Sequence, residues 1–237
     1  MYYGRVLHRG EVYEGFFEIE NGKVVFDGYE MTNYRFLPPV KPSKIICIGL
    51  NYVDHAEELN MEIPEEPIIF LKPPSAVIGH EDTIILPKVS RRVDYEGEIA
   101  VVIGKRCRNV SRKDAMNYLL GYTCFNDVTA RDLQQKDGQW TRAKSFDTFA
   151  PLGPYIVTEI PERLRIRTIL NGRVVQSSDT SNLIFDIPTL IEFISSIMTL
   201  ERGDVIATGT PAGVGMLKKG DVVEVEVEGL TLRNYVG

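Results

Sequence analysis

A mainly β architecture (α+β), a roll or barrel with a few helices, is the fold class this 237-residue sequence predicts. Three observations predict it. Short runs rich in Val, Ile, Phe and Tyr recur along the chain, bounded by Gly, Pro, Asn or Asp. That composition suits a pleated, half-buried surface. Asn21-Gly22 and Asn171-Gly172 each sit within a pair of such runs, and Asn-Gly there is a strong hairpin signal. The clearest helical periodicity is confined to one stretch, with Ile187, Leu190, Ile191, Ile194 and Ile197 at helical spacing,.

Taken in order, residues 1–37 alternate polar and apolar in short bursts and predict a small β meander,. Pro38, Pro39 and Pro42 interrupt the pattern and mark a boundary,. The expectation is an N-terminal β module over 1–40 and a main domain over 41–237. Lys44 to Gly49 reads as a buried strand, and Asn51 to Asn60 as a short polar helix ended by Pro64 and Pro67,. Ile68 to Leu71 and Thr83 to Leu86 read as strands, with Lys72 to Ser75 as a loop after the first. Ile99 to Ile103 is a β-branched run closed by Gly104,. Ser111-Arg112-Lys113-Asp114 resembles a capping box and predicts a helix to Leu120, closed by Gly121,. Tyr122 to Thr129 reads as a strand, and 130–150 as a polar, irregular segment of the kind that carries function,. Arg165 to Ser178 reads as a hairpin, and Asp186 caps a helix with Pro188 in its first turn,. Asp204 to Thr208 and Asp221 to Val227 read as strands joined by a glycine-rich loop, Thr208 to Gly215.

Composition bounds the function. Hydrophobic residues make up 43% and charged residues 25%, and 33 acids against 27 bases leave a formal charge of −6. A nucleic-acid binder would show a basic stripe, so no nucleic-acid partner is expected. No apolar run approaches the ~18 residues of a membrane span, and no signal-peptide pattern opens the chain, so a cytoplasmic protein is expected. Cys47, Cys107 and Cys124 are odd in number and widely spaced, which suggests neither zinc nor a disulfide framework.

Glu96 and Glu98 are two residues apart in a strand-like run, so they project from one face. Two such carboxylates repel, and burial makes the repulsion worse. With Asp127 at the end of the following strand they offer three hard oxygen donors, a set suited to Mg²⁺ or Mn²⁺. The alternative is a solvated strand face paired with Arg91 and Arg92. His55 and Glu58 are three apart on a short helix and share a face, so Glu58 can hold a tautomer while His55 activates water; the alternative is an exposed helix with incidental charges. Lys144, with Arg131 and Gln134 upstream, either supplies a cation against developing negative charge or is a surface lysine. The Thr208–Gly215 loop either holds a carboxylate on its N–H groups or is a plain turn between strands.

Five stretches together resemble the fumarylacetoacetate hydrolase family. They are Ile48-Gly49-Leu50-Asn51-Tyr52 with Asp54-His55, Asp94-Tyr95-Glu96-Gly97-Glu98, Asn126-Asp127-Val128-Thr129-Ala130-Arg131-Asp132, Ala143-Lys144-Ser145-Phe146-Asp147 and Gly203-Asp204-Val205-Ile206-Ala207-Thr208-Gly209-Thr210-Pro211. They occur in family order over roughly residues 44–229. The resemblance implies a β-rich roll, an Mg²⁺ or Mn²⁺ ion on Glu96, Glu98 and Asp127, and a homodimer acting on small α-keto or 1,3-dicarbonyl acids. It implies a His55–Glu58 catalytic dyad and Lys144 as the substrate lysine. Arg131 and Gln134 would line the site, and Thr210 would contact the substrate carboxylate. Expected activities are C–C hydrolysis of an acylpyruvate through a metal-stabilised enolate, or 2-hydroxyhepta-2,4-diene-1,7-dioate isomerisation, or oxaloacetate decarboxylation or tautomerisation. A catalytically silent metal-binding member is the non-enzyme alternative. The short, Pro-flanked helix bearing His55 reads as a lid.

Overall fold

The computed structural model describes residues 1–237, and the chain folds mostly into strands with few short helices. The N-terminal meander comprises β1 (Tyr2–His8), β2 (Glu11–Glu20), β3 (Lys23–Phe26), β4 (Tyr29–Met31) and β5 (Tyr34–Leu37). Asn21 and Gly22 both take positive φ between β2 and β3, as a tight hairpin requires. Val6, Phe17, Val24, Phe26 and Met31 form its small core.

The next segment supplies β6 (Ile45–Ile48), α1 (Val53–Leu59), β7 (Ile69–Lys72), β8 (Val77–Ile78), β9 (Thr83–Ile84), β10 (Val93–Tyr95) and β11 (Gly97–Ile103). Lys72, expected in a loop, closes β7 opposite Ile45 of β6. The residues expected to form a helix from Ser111 make a 3-10 run over Arg112–Tyr118 instead. The Ser111 hydroxyl donates to the Asp114 carboxylate at 2.6 Å and caps nothing. Leu119 is drawn into β12 (Leu119–Asn126) by its ladder with β11. Gly121 therefore lies within a strand rather than closing a helix.

β13 (Thr129–Ala130), α2 (Arg131–Asp137), α3 (Thr141–Lys144) and β14 (Ala150–Val157) follow. The segment expected to be irregular thus holds two short helices. Their apolar periodicity is too brief to be read in sequence, and only Leu133 and Ala143 anchor them in the core,. β15 (Arg165–Leu170) and β16 (Arg173–Asp179) form the expected hairpin. In α4 (Ile187–Ile197), Asp186 Oδ1 accepts from Thr189 N at 2.9 Å, satisfying one of the free N–H groups of the first turn. Its Leu190, Ile191 and Ile194 are fully buried, but Ile197 is exposed. β17 (Val205–Ala207), β18 (Gly215–Met216), β19 (Val222–Val227) and β20 (Leu230–Val236) complete the chain.

A twelve-stranded sheet runs β4-β3-β2-β1-β14-β12-β11-β17-β6-β7, with β5 on β1 and β8 on β14. A five-stranded sheet runs β16-β15-β19-β20-β9, and a three-stranded one β13-β10-β18. β11 lies inside the large sheet and is buried on both faces. Ile99, Val101 and Ile103 pack with α4 and the five-stranded sheet, while Ala100 and Val102 pack with Ile45, Cys47 and Phe125. Burial of both faces explains why its sequence is a continuous apolar run rather than an alternating one. Glu98 lies on the Ala100 and Val102 side by strand alternation.

Candidate active site

The site forms where β11 outruns its neighbours. Gly97 pairs with Asn126 of β12, but β17 reaches only as far as Ala100. On the β17 side, the stretch before Ala100 is held by side chains and loops. Asn126 Oδ1 accepts from Glu96 N at 3.0 Å, and Asp127 N donates to Glu96 O at 2.8 Å. These two bonds lock the end of β12 to the start of β11, which brings Asp127 beside the paired glutamates.

One carboxylate oxygen from each of Glu96, Glu98 and Asp127 lies within 4.8 Å of the others, and all three residues are buried. The solvated-face alternative is thereby excluded: Arg92 pairs with Asp94 instead, at 3.0 Å. Buried carboxylates need compensating charge, and most of it comes from three cations. Lys144 Nζ donates to Glu96 Oε2 at 3.0 Å and to Asp127 Oδ2 at 2.5 Å, and it lies 4.9 Å from the centre of the Phe70 ring. Lys72 Nζ donates to Asp127 Oδ1 and, at 3.0 Å, to Val128 O. Arg131 Nη2 donates to Glu96 Oε1, and its Nε to Asp94 Oδ2 at 2.9 Å.

Glu98 has none of this. Its hydrogen-bond partner is Gly209 N, at 2.9 Å. Burial first, and then repulsion from Asp127 and Glu96, pushes its carboxyl well above the ordinary range,. Burial also opposes ionisation of Glu96, but Lys144 and Arg131 override it and hold that carboxyl far below its usual value. The cluster is therefore short of positive charge at Glu98. Three clustered hard-oxygen donors with one uncompensated carboxyl are a fit for a divalent cation.

Across the cavity, His55 Nδ1 lies 3.0 Å from Glu58 Oε2. Glu58 also accepts from Gly213 N at 3.2 Å, so the carboxylate ties α1 to the loop after β17. The helix has further anchors at its start. The Asn51 amide donates to Thr208 O at 2.7 Å and accepts from Phe185 N at 2.8 Å, and Asp54 accepts from the Ser178 hydroxyl at 3.0 Å.

A cavity of about 390 Å³ unites these groups: His55, Glu96, Glu98, Arg131, Gln134, Lys144 and Thr210 all line it. Asp127 sits just behind, fully buried. Glu58 faces the loop rather than the cavity, meeting it through His55. Much of the remaining wall is apolar, from Leu50, Leu59, Met61, Phe70 and Trp140, with Gln135 beside them. Arg131 Nη1 donates to Gln134 Oε1 at 2.6 Å, so these two polar groups form one unit. The Thr210 hydroxyl is committed to protein partners, donating to Gly97 O at 2.8 Å and accepting from Gln176 Nε2 at 2.8 Å.

Lys72, Asp94 and Gln176 are the site-supporting residues that sequence reading missed. A signal existed for Lys72: strand alternation places it on the same face as Phe70, beneath the cavity,. Asp94 lay inside a quoted motif, two residues from its partner Arg92, but its second partner, Arg131, comes from 37 positions away. Gln176 meets Gly97 from 79 positions away in sequence, and no local pattern records such a contact.

Comparison with known proteins adds the following. Residues 44–237 match the model for the fumarylacetoacetate (FAA) hydrolase C-terminal family. The chain is 68% identical over 235 residues to an uncharacterized protein of Archaeoglobus fulgidus, covering 98% of this chain and 94% of the other. It is 48% identical over 208 residues to the oxaloacetate tautomerase Fahd2a, mitochondrial, of Rattus norvegicus, covering 82% of this chain and 66% of that protein. The solved structure of 5-carboxymethyl-2-hydroxymuconate delta-isomerase from Mycobacterium smegmatis superposes with a TM-score of 0.92 at 47% identity, covering 100% of this chain and 98% of that one.

Proposed function

The chain belongs to the fumarylacetoacetate hydrolase family, and from that premise we propose that it is an Mg²⁺- or Mn²⁺-dependent enzyme that hydrolyses a C–C bond in a small acylpyruvate-type keto acid. The observation that carries this reading is His55, held 3.0 Å from Glu58 and lining the same cavity as Glu96, Glu98 and Lys144.

Glu96, Glu98 and Asp127 hold the cation in this reading. When bound, a divalent ion supplies Lewis-acid polarisation of the substrate's keto group. The chain's own residues do the rest. Glu58 accepts a hydrogen bond from His55 Nδ1–H and so holds the tautomer whose Nε2 lone pair is free as a base,. Nε2 takes a proton from water, and the water oxygen bonds to the distal carbonyl carbon. The C–C bond then breaks, its electron pair passes to the pyruvate fragment as an enolate, and that carbon takes up a proton. The products are a carboxylate and pyruvate. Lys144 offsets the negative charge that develops. Arg131 with Gln134, and the Thr210 loop, orient the substrate carboxylate. Leu59, Met61 and Trp140 shield the reacting centre from bulk water.

A second reading is tautomerisation or isomerisation with the carbon skeleton intact. The relatives named as an oxaloacetate tautomerase and a delta-isomerase favour it. In that case His55 moves a proton between carbon and oxygen of the substrate rather than from water. Acetylpyruvate, oxaloacetate and 2-hydroxyhepta-2,4-diene-1,7-dioate, each with Mg²⁺ and with Mn²⁺, separate the two. Loss of enol absorbance with release of pyruvate and acetate from acetylpyruvate supports hydrolysis. Conversion of enol to keto forms with no cleavage product overturns hydrolysis in favour of the second reading.

The same reading includes a cytoplasmic location and a homodimer. Leu71 of β7, the last strand of the large sheet, and Ile68 just before it are exposed, and an uncovered apolar edge invites a partner. Light scattering that returns the mass of one chain removes the dimer.

A further inference from the structure

Gln176 belongs to β16, a strand of the five-stranded sheet remote in sequence from the site, and it is 1% exposed. Its amide makes three hydrogen bonds. Oε1 accepts from Gly97 N at 3.0 Å, and Nε2 donates to Thr210 Oγ1 and to Pro211 O, both at 2.8 Å. The Thr210 hydroxyl in turn donates to Gly97 O at 2.8 Å. A closed ring results: Gly97 N to Gln176, Gln176 to Thr210, Thr210 back to Gly97 O.

Gly97 is the residue between Glu96 and Glu98, and it lies past the end of the β17 ladder. Both of its main-chain polar groups would lack a strand partner on that side. Gln176 and Thr210 take the place of the missing strand. The fit is close enough to exclude any side chain at 97, since a Cβ there would lie 2.0 Å from Thr168 Oγ1 and 3.3 Å from Gln176 Oε1. Thr168 and Gln176 face each other in the β15–β16 pairing, so the hairpin presents both to this one residue.

We propose that Gln176 is a positioning residue: its amide fixes the peptide units flanking Gly97 and thereby sets the spacing of the Glu96 and Glu98 carboxylates, while tying the Thr210 loop to the same point. It touches neither substrate nor ion. The inference rests on the metal-site reading given above and assigns that site a support on a different sheet. Groups that orient metal ligands change affinity by about 10- to 100-fold when lost.

The test is Mn²⁺ titration of the substrate-free protein by calorimetry, at a temperature well below unfolding. Gln176→Met keeps the volume and removes all three bonds; its Mn²⁺ affinity should fall by about 10- to 100-fold. Val24→Ala, in the N-terminal core, serves as the stability control: it should lower the melting temperature and leave Mn²⁺ affinity at the native value. If Gln176→Met does not fold, Thr210→Val breaks the ring by removing one hydroxyl and should weaken Mn²⁺ binding in the same direction. Native Mn²⁺ affinity in a folded ring-breaking variant overturns the inference alone. A native chain that binds no Mn²⁺ overturns the metal reading and this inference with it.

Discussion

Lys72 and Asp127 form an ion pair shut off from water, with side-chain exposures of 0% and 1%. Lys72 Nζ takes Asp127 Oδ1 while Lys144 Nζ takes Oδ2. Each oxygen of one carboxylate is thus gripped by its own ammonium. The two lysines differ in setting: Lys144 lines the cavity, and Lys72 does not. Lys72 is therefore the counter-charge that stays with Asp127 whatever enters the site.

Removal of Lys72 leaves Asp127 with one ammonium and Val128 O without its donor. Breaking a buried pair from one side typically costs 3–5 kcal/mol. Lys72→Met should lower unfolding stability by about 3 kcal/mol, near the low end because Lys144 remains. Denaturant unfolding of the metal-free protein measures it. A change below about 1 kcal/mol, the scale of exposed pairs, would show that Lys72 contributes no more than a surface lysine.

Gly121 gives a prediction about the fold. It sits in β12 where the register with β11 shifts, between the Val102–Gly121 and Ile103–Leu119 pairings. A Cβ at this position would lie 2.1 Å from Val157 O and 2.6 Å from Ile156 Cγ2. The neighbouring atoms include backbone, which cannot swing aside as a side-chain tip can. Gly121→Ala should destabilise by about 1–3 kcal/mol or more, the usual cost of overpacking, and thermal melting should show it. An unchanged melting temperature would mean the two strands separate freely here.

Gly121 also marks where sequence reading fails. As a residue after a polar, capping-like segment it has the signature of a helix end, and the contact that selects glycine is with a strand about 35 residues later. The signals that succeeded were local. Asn21-Gly22, Asn171-Gly172 and the Asp186 cap each act within a few residues, and each is present as expected. The converging Glu96, Glu98 and Asp127 were legible because strand alternation places the first two on one face and Asp127 follows the end of the next long strand, β12, whose ladder with β11 brings it beside them. Strand alternation puts Lys72 on the face of Phe70, but neither its role nor that of Gln176 was legible, because their partners lie 55 and 79 positions away,. Long-range pairing is fixed by packing, which leaves no periodic trace in the chain.

His80 yields a pH dependence remote from the site. Its Nδ1 accepts from Arg233 N at 3.1 Å, and the ring is only partly exposed. Burial first, with Arg233 adding to it, depresses its pKa despite the opposing pull of Glu81. A histidine depressed in the folded state takes up its proton in the unfolded chain first. Stability should therefore be fully present above about pH 6.5, the unperturbed histidine value, and fall as pH drops from there. The acids Asp179, Asp186 and Glu228, all depressed in the fold, add their losses at lower pH. Unfolding free energies compared between pH 7 and about 5 should show a flatter slope in His80→Gln than in the native chain. Parallel slopes in the two proteins would remove His80 from the account.

The acidic cluster and the His55–Glu58 pair make separable predictions, since His55, Glu96 and Glu98 line one cavity but no hydrogen bond joins the pair to the cluster. Glu98→Ala takes one of three clustered oxygens away, and the two carboxylates that remain are already engaged by lysine and arginine. Mn²⁺ binding and turnover should be lost together. His55→Ala leaves all three oxygens in place and removes only the base, so Mn²⁺ affinity should stay native while turnover falls by about 10²–10⁴-fold, the usual contribution of a positioned general base. Calorimetry and steady-state kinetics on the same preparations read both quantities. Metal-dependent turnover retained by Glu98→Ala would refute its role as a ligand. Loss of Mn²⁺ binding in His55→Ala would instead place the imidazole among the ligands, and the base would have to be sought elsewhere in the cavity.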